Sequence, residues 1–282
     1  MANNTGETTG YPVKGFDMKY TWQNVWEKLF DEQVKLLKDD VARRREGENR
    51  SIIYLSCPIS PRGGGFHETN IDIARFTQRR LMMELGPRVW ILNPAQYQLE
   101  SKQGTGMFQR HAKTLGLDID VEKLMEEYPL SGGDYMRMWT QVLVEDEEQN
   151  KGQKFDAYYF IGPSDARKFF LEGRDGNINS AIESYFASKF STDRDFRDFY
   201  EKSNKGWQQA RDEFCRFYTL RASANFSKGC HDEWNIFQKL NVARLNVEKP
   251  DVGEMLAGYF DGKQIDPGAA IMPIQRGYAL EC

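Results

Sequence analysis

The chain alternates short, unbroken apolar runs with longer stretches in which apolar residues recur at helical spacing. Ile52-Ile-Tyr54-Leu55-Ser-Cys57 is such a run, and its continuous apolar character suits a strand buried on both faces of a parallel sheet. Arg88 to Leu92 reads as a second strand, Phe155 to Ile161 as a third, and Phe214 to Leu220 as a fourth. Helical periods fall at Thr21 to Arg45, Asn70 to Leu85, Asp134 to Glu148 and Cys230 to Arg244, while residues 97 to 133 read as an irregular excursion. Strand, glycine loop, helix and strand over residues 52 to 92 make a βαβ unit, and the continued alternation predicts a doubly wound α/β sheet.

The same pattern divides the chain. Residues 1–20 read as a flexible tail, since the opening Asn, Thr and Gly cannot bury enough apolar surface to offset their ordering entropy. Residues 21–50 form an N-terminal helix that ends in Arg43-Arg44-Arg45, where cations complement the helix dipole. Residues 51–245 form the α/β domain, with a helical insertion at 164–213, and residues 246–282 are a C-terminal extension without a strong period.

Composition narrows the function classes. A net charge of −4 argues against a nucleic acid polymer as partner, because duplex binding needs clustered cations. A small-molecule substrate fits better. The four cysteines form no CxxC pair and the three histidines lie far apart, so neither a structural metal nor a disulfide framework is expected. No segment approaches the roughly 20 apolar residues that span a bilayer, no membrane association is implied, and the expected location is cytoplasmic.

Candidate chemistry gathers at Ser227-Lys-Gly229-Cys-His-Asp-Glu233, placed between an apolar run and a helix. A strand feeding such a turn would set Glu233 in a crevice at a strand's carboxyl end, where a carboxylate can attack or stabilise an anomeric carbon. The alternative is a solvated first-turn glutamate favoured by the helix dipole. Tyr54 either carries a hydroxyl that holds this carboxylate in one rotamer or is an ordinary core tyrosine. Ser60-Pro-Arg62-Gly63-Gly64-Gly65 either cradles a phosphate through its amides and guanidinium or is a flexible loop. Asp165 lies just past the third strand, placed to grip a sugar or donate a proton, whereas Asp156 reads as structural. Asn93 binds a ligand on the same rim or forms the turn before Pro94. His231 would relay a proton only if it shares the pocket, and Cys57 and Cys230 read as bystander thiols.

Three pieces resemble the nucleoside 2-deoxyribosyltransferase superfamily, which includes the 2′-deoxynucleoside 5′-phosphate N-hydrolases. Ile53-Tyr54-Leu55-Ser-Cys57-Pro58-Ile59-Ser60 is similar to its opening strand and loop, and Val89-Trp-Ile-Leu-Asn93-Pro94-Ala95 to its second strand. Ser227-x-Gly229-x-x-x-Glu233 matches the spacing of its glutamate motif. The resemblance implies a five-stranded, mostly parallel, Rossmann or flavodoxin-like sheet, with no cofactor. It implies N-glycosidic bond cleavage with Glu233 as nucleophile and Tyr54 as its partner, on a nucleoside or nucleoside 5′-monophosphate, by hydrolysis or transfer. Arg62 and its neighbours favour the monophosphate, and a homo-oligomer is expected. The family's acidic residue before the glutamate turn has no counterpart in Cys215 to Leu220; Asp156 or Asp165 is its substitute, or it is missing. Glu183 is a reserve candidate for the nucleophile. The rival functions are NAD or ADP-ribose glycohydrolase activity and a nucleotide-binding sensor without turnover.

Overall fold

The computed structural model describes residues 6–59, 66–99, 102–146, 150–219, 221–245, 255–265 and 277–281. Ser60, Arg62, Gly63 and Gly64, the candidate phosphate loop, lie outside the described residues.

A mixed α/β body contains a five-stranded, mostly parallel sheet. Its strands are β3 (Ser51–Ser56), β4 (Val89–Leu92), β5 (Ala157–Phe160), β6 (Ala257–Phe260) and β7 (Lys263–Ile265), in the order β4-β3-β5-β6-β7. The first four run parallel, and β7 returns antiparallel against β6. β3 and β5 are buried along almost their whole length and take inner positions, as continuous burial requires.

Alternation along the strands sorts side chains onto two faces. Tyr54, Tyr158 and Phe160 share one core cluster with Trp139 and Val142 of α5 (Gly132–Val144) and with Trp234 and Phe237 of α10 (Lys228–Leu245). Leu29, Phe30 and Leu37 of α1 (Glu27–Ala42) extend that cluster outward. Ile53, Leu55 and Tyr159 point the other way, toward Ile73 and Leu81 of α2 (His67–Leu85). The same cluster holds Phe170 of α6 (Pro163–Phe170), Phe186 of α7 (Ile178–Thr192), Phe196 of α8 (Arg194–Glu201) and Phe214 of α9 (Trp207–Tyr218).

Four expectations are corrected. Residues 6–20 are not a loose tail: β1 (Glu7–Gly10) pairs with β2 (Tyr20–Gln23), and Val13, Phe16 and Met18 are buried between them. The interspersed apolar side chains outweigh the polar start. Residues 97 to 133 are not irregular, since α3 (Lys102–Thr114) and α4 (Val121–Glu127) form there, the latter capped by the Asp120 carboxylate. The segment read as a strand over 214–220 is none in its described residues, 214–219. Ala210, Phe214 and Tyr218 are buried at i, i+4 and i+8, which is one stripe of helix α9. The fourth parallel strand is instead β6, in the segment read as a C-terminal extension. Its Gly258 is needed for close approach, because a Cβ there would lie 2.5 Å from the ring of Phe237 on α10.

The arginines after α1 are tied up locally. Arg43 and Arg44 pair with Glu48, and Arg45 reaches Asp156 at 2.7 Å. Asp156 also accepts from the backbone N–H of Ile52 at 2.7 Å, so its role is structural.

Candidate active site

The turn before α10 is pinned to the tips of two parallel strands. The Ser223 amide donates to the carbonyl of Ile161, just past β5, at 2.7 Å, and the Ser223 hydroxyl donates to the carbonyl of Ser56, at the end of β3, at 3.4 Å. Ser227 then opens the helix: its carbonyl accepts from His231 N–H at 2.9 Å and its Oγ from Cys230 N–H at 3.5 Å. A short 3₁₀ turn, Ser223–Asn225, therefore does what a strand was expected to do. Trp234 and Phe237 anchor the helix on Phe160 through edge-to-face contacts.

This geometry turns Glu233 inward under the end of β3. Its Oε1 accepts from the Tyr54 hydroxyl at 2.6 Å and its Oε2 from the Ser56 hydroxyl at 2.5 Å. The Cys230 thiol, one helical turn back, acts in the same direction as these donors by favouring the charged form of Glu233. Residues 179 positions apart in the chain are thus in direct contact. Glu233 is only 4% exposed, and burial pushes its carboxyl group up to about 7 against the opposing effect of the Ser56 and Tyr54 hydrogen bonds and of the Cys230 thiol. Burial, and next the nearby Glu233 carboxylate, push the Tyr54 phenol up, so Tyr54 is the donor of this pair. The thiols of Cys57 and Cys230 are likewise raised by burial, which leaves both as unreactive neutral groups.

The remaining sequence candidates are distributed as follows. Asp165 is buried, but on the opposite face of the sheet. It accepts from Tyr159 OH at 2.8 Å, Arg80 Nη2 at 2.6 Å and the Gly162 amide at 3.0 Å, which makes it the cap of α6 rather than a neighbour of Glu233. Strand alternation sends Tyr158 to one face and Tyr159 to the other, and Asp165 follows Tyr159. Asn93 forms the turn: its Oδ1 accepts from Ala95 N–H at 3.0 Å and its Nδ2 donates to Gln78 at 3.1 Å. Gly229 sits in the first turn of α10, where a Cβ would meet only Met136 sulfur at 3.7 Å, so no close approach demands glycine. His231 is buried, its Nε2 shares a 3.3 Å hydrogen bond with Asn235, and desolvation keeps the imidazole neutral. It lies two positions from Glu233 on the helix, about 200° around the axis, which separates the two side chains. Glu183 lies on α7, exposed and paired with Arg211 at 2.9 Å, away from the strand tips.

Two residues escaped sequence reasoning. Ser56 was readable in principle: if Tyr54 faces Glu233, the residue two positions on shares that face. Asp232 was not. Burial raises its carboxyl group to about 7, and its Oδ2 accepts from the amides of Tyr278 and Ala279, at 2.7 and 3.2 Å. The segment 277–281 is thereby fastened beside the glutamate, and it is held at its other end by Leu280 N–H on the Lys19 carbonyl at 2.8 Å.

Among the described residues no group of three or more His, Cys, Asp and Glu side chains is arranged to hold a metal ion, and no helix is long and apolar enough to cross a membrane. No family model, curated protein or solved structure matches this chain.

Proposed function

We propose that the protein cleaves the N-glycosidic bond of a nucleoside or nucleoside 5′-monophosphate, with Glu233 as the attacking or charge-stabilising carboxylate. One observation carries this reading: a single carboxylate is held by Tyr54 and Ser56 at the carboxyl end of an inner parallel strand, where α/β proteins place their ligands. As the base departs, the sugar gains oxocarbenium character, and an ionised carboxylate beneath it stabilises that charge or captures it as an ester. Water or a second base then releases the sugar. The two helical layers are read as a doubly wound, Rossmann-like arrangement around this site, and the active form as a homo-oligomer. Asp165 has no part in the chemistry under this reading, because it caps α6 on the other face.

A second reading, a nucleotide-binding protein without turnover, draws support from the full engagement of both Glu233 oxygens inside the fold. The test is a screen of nucleosides, their 5′-monophosphates and NAD, with chromatographic detection of free base or nicotinamide. Base release that disappears in Glu233→Gln supports cleavage. Nicotinamide release from NAD would transfer the activity to the dinucleotide class, and tight binding with no base liberated over hours supports the sensor.

A further inference from the structure

We propose that Ser56 is a positioning residue for Glu233: by donating to Oε2 while Tyr54 holds Oε1, it fixes the plane of the carboxylate and favours its ionised form. The consequence for catalysis rests on the function proposed above, whereas the effect on Glu233 itself does not. The argument is one of charge and neighbours. Glu233 is buried, and its side chain accepts hydrogen bonds from two neutral groups, Tyr54 and Ser56 of β3, while the neutral Cys230 thiol of α10 also favours its charged form. The other titratable groups that act on this cluster are Cys57 just past β3, Tyr158 of β5 and Asp232 of α10, each electrostatically coupled to Glu233. A cluster built this way stabilises negative charge by hydrogen bonds alone, so each donor has a large share. Ser56 is the shortest of these bonds, is itself fully buried, and has its carbonyl anchored by Ser223, so its hydroxyl is presented from a fixed point.

The experiment reads the ionisation of Glu233 directly, by infrared difference spectra of the carboxyl band against Glu233→Gln across pH. Deleting one hydrogen bond to a charged acceptor shifts the midpoint upward by about one to two pH units. Ser56→Ala should show that rise, and Ser56→Thr, which keeps the hydroxyl, should restore the parental midpoint. Ser56→Cys keeps the volume with a weaker donor and should lie between, which preserves the test if the alanine variant does not fold. An unmoved midpoint in folded Ser56→Ala or Ser56→Cys overturns the assignment, as does an equal displacement in folded Ser56→Thr. If base release occurs, the acid limb of its pH profile should move with the infrared midpoint; a uniform loss at every pH without displacement would mark Ser56 as merely structural. A displaced midpoint with no base release from any protein would sustain the role of Ser56 and refute the glycosidic function.

Discussion

Replacing Glu233 by glutamine separates the cost of a buried charge from the packing around it. Burial holds the carboxyl group at about 7 against its ordinary 4.5, and one unit corresponds to about 1.4 kcal/mol, so the ionised side chain costs the fold about 3 kcal/mol. The folded protein keeps this proton between those two values while the unfolded chain has released it. Stability therefore falls as pH rises through that window and loses nothing further from this group above it. Glutamine is neutral throughout and close in shape; its carbonyl can accept from one hydroxyl while its amide donates to the other. The variant should match the parent below about pH 4, where the glutamate is protonated in the folded and unfolded chains alike, and exceed it by about 3 kcal/mol near pH 8. Asp232 titrates in the same range in both proteins, and because the Glu233 carboxylate helps to raise it, the variant relieves part of that shift too and the difference grows in the same direction. Urea unfolding followed by tryptophan fluorescence at several pH values measures the quantity. A difference that is flat across pH would refute the reasoning, because it would mean that Glu233 carries the same charge in the folded and unfolded chains.

Three further outcomes are expected. Tyr54→Phe preserves ring contacts with Trp139, Phe155 and Tyr158 but removes a donor to the carboxylate, so it should lower stability by about 1.5–3 kcal/mol at alkaline pH and less at acid pH, read by the same unfolding series. Asp165→Ala should cost about 1 kcal/mol or more through the lost cap of α6 and the loss of one carboxylate partner of Arg80, which keeps Glu84, while base release per folded molecule stays unchanged. Gly258→Ala should lower the melting temperature, since overpacking against the Phe237 ring costs about 1–3 kcal/mol; an unaltered melting curve would show that α10 can shift away from β6.

The first half of the sheet was legible because its signals are local. β3 is an unbroken apolar run, α2 follows with its own period, and β4 stops at Asn93-Pro94, a turn whose side-chain bond to Ala95 is what such a pair encodes. The segment 214–220 misled for the opposite reason. Phe214, Phe217 and Tyr218 look like a strand when read as a run, yet the buried positions extend backward to Ala210 at helical spacing. β6 was hidden because four residues, one a glycine chosen for contact with Phe237, carry no period of their own. At the site, the turn spacing and the strand pattern pointed to Glu233 and Tyr54. Asp165 looked equivalent from its place after β5, and only the face onto which its carboxylate folds removes it from the pair. Ser56 and the strap on Asp232 depend on contacts between distant segments, which no local pattern announces.

The pairing of β5 with β6 sets Ala157 opposite Ala257, so the two neighbours are separated along the chain by about one hundred residues. Contacts of such range form late, because a long loop must be closed before its ladder exists. The βαβ unit of β3, α2 and β4 can assemble from nearby residues, but α10 follows the inserted helices in the chain and presents Phe237 to Gly258 of the last parallel strand. Docking of that helix and capture of β6 therefore support one another in assembly. A species arrested before this docking would own most of its secondary structure and yet have no glutamate beneath Tyr54, so recovery of ligand binding during refolding should lag behind recovery of helical content.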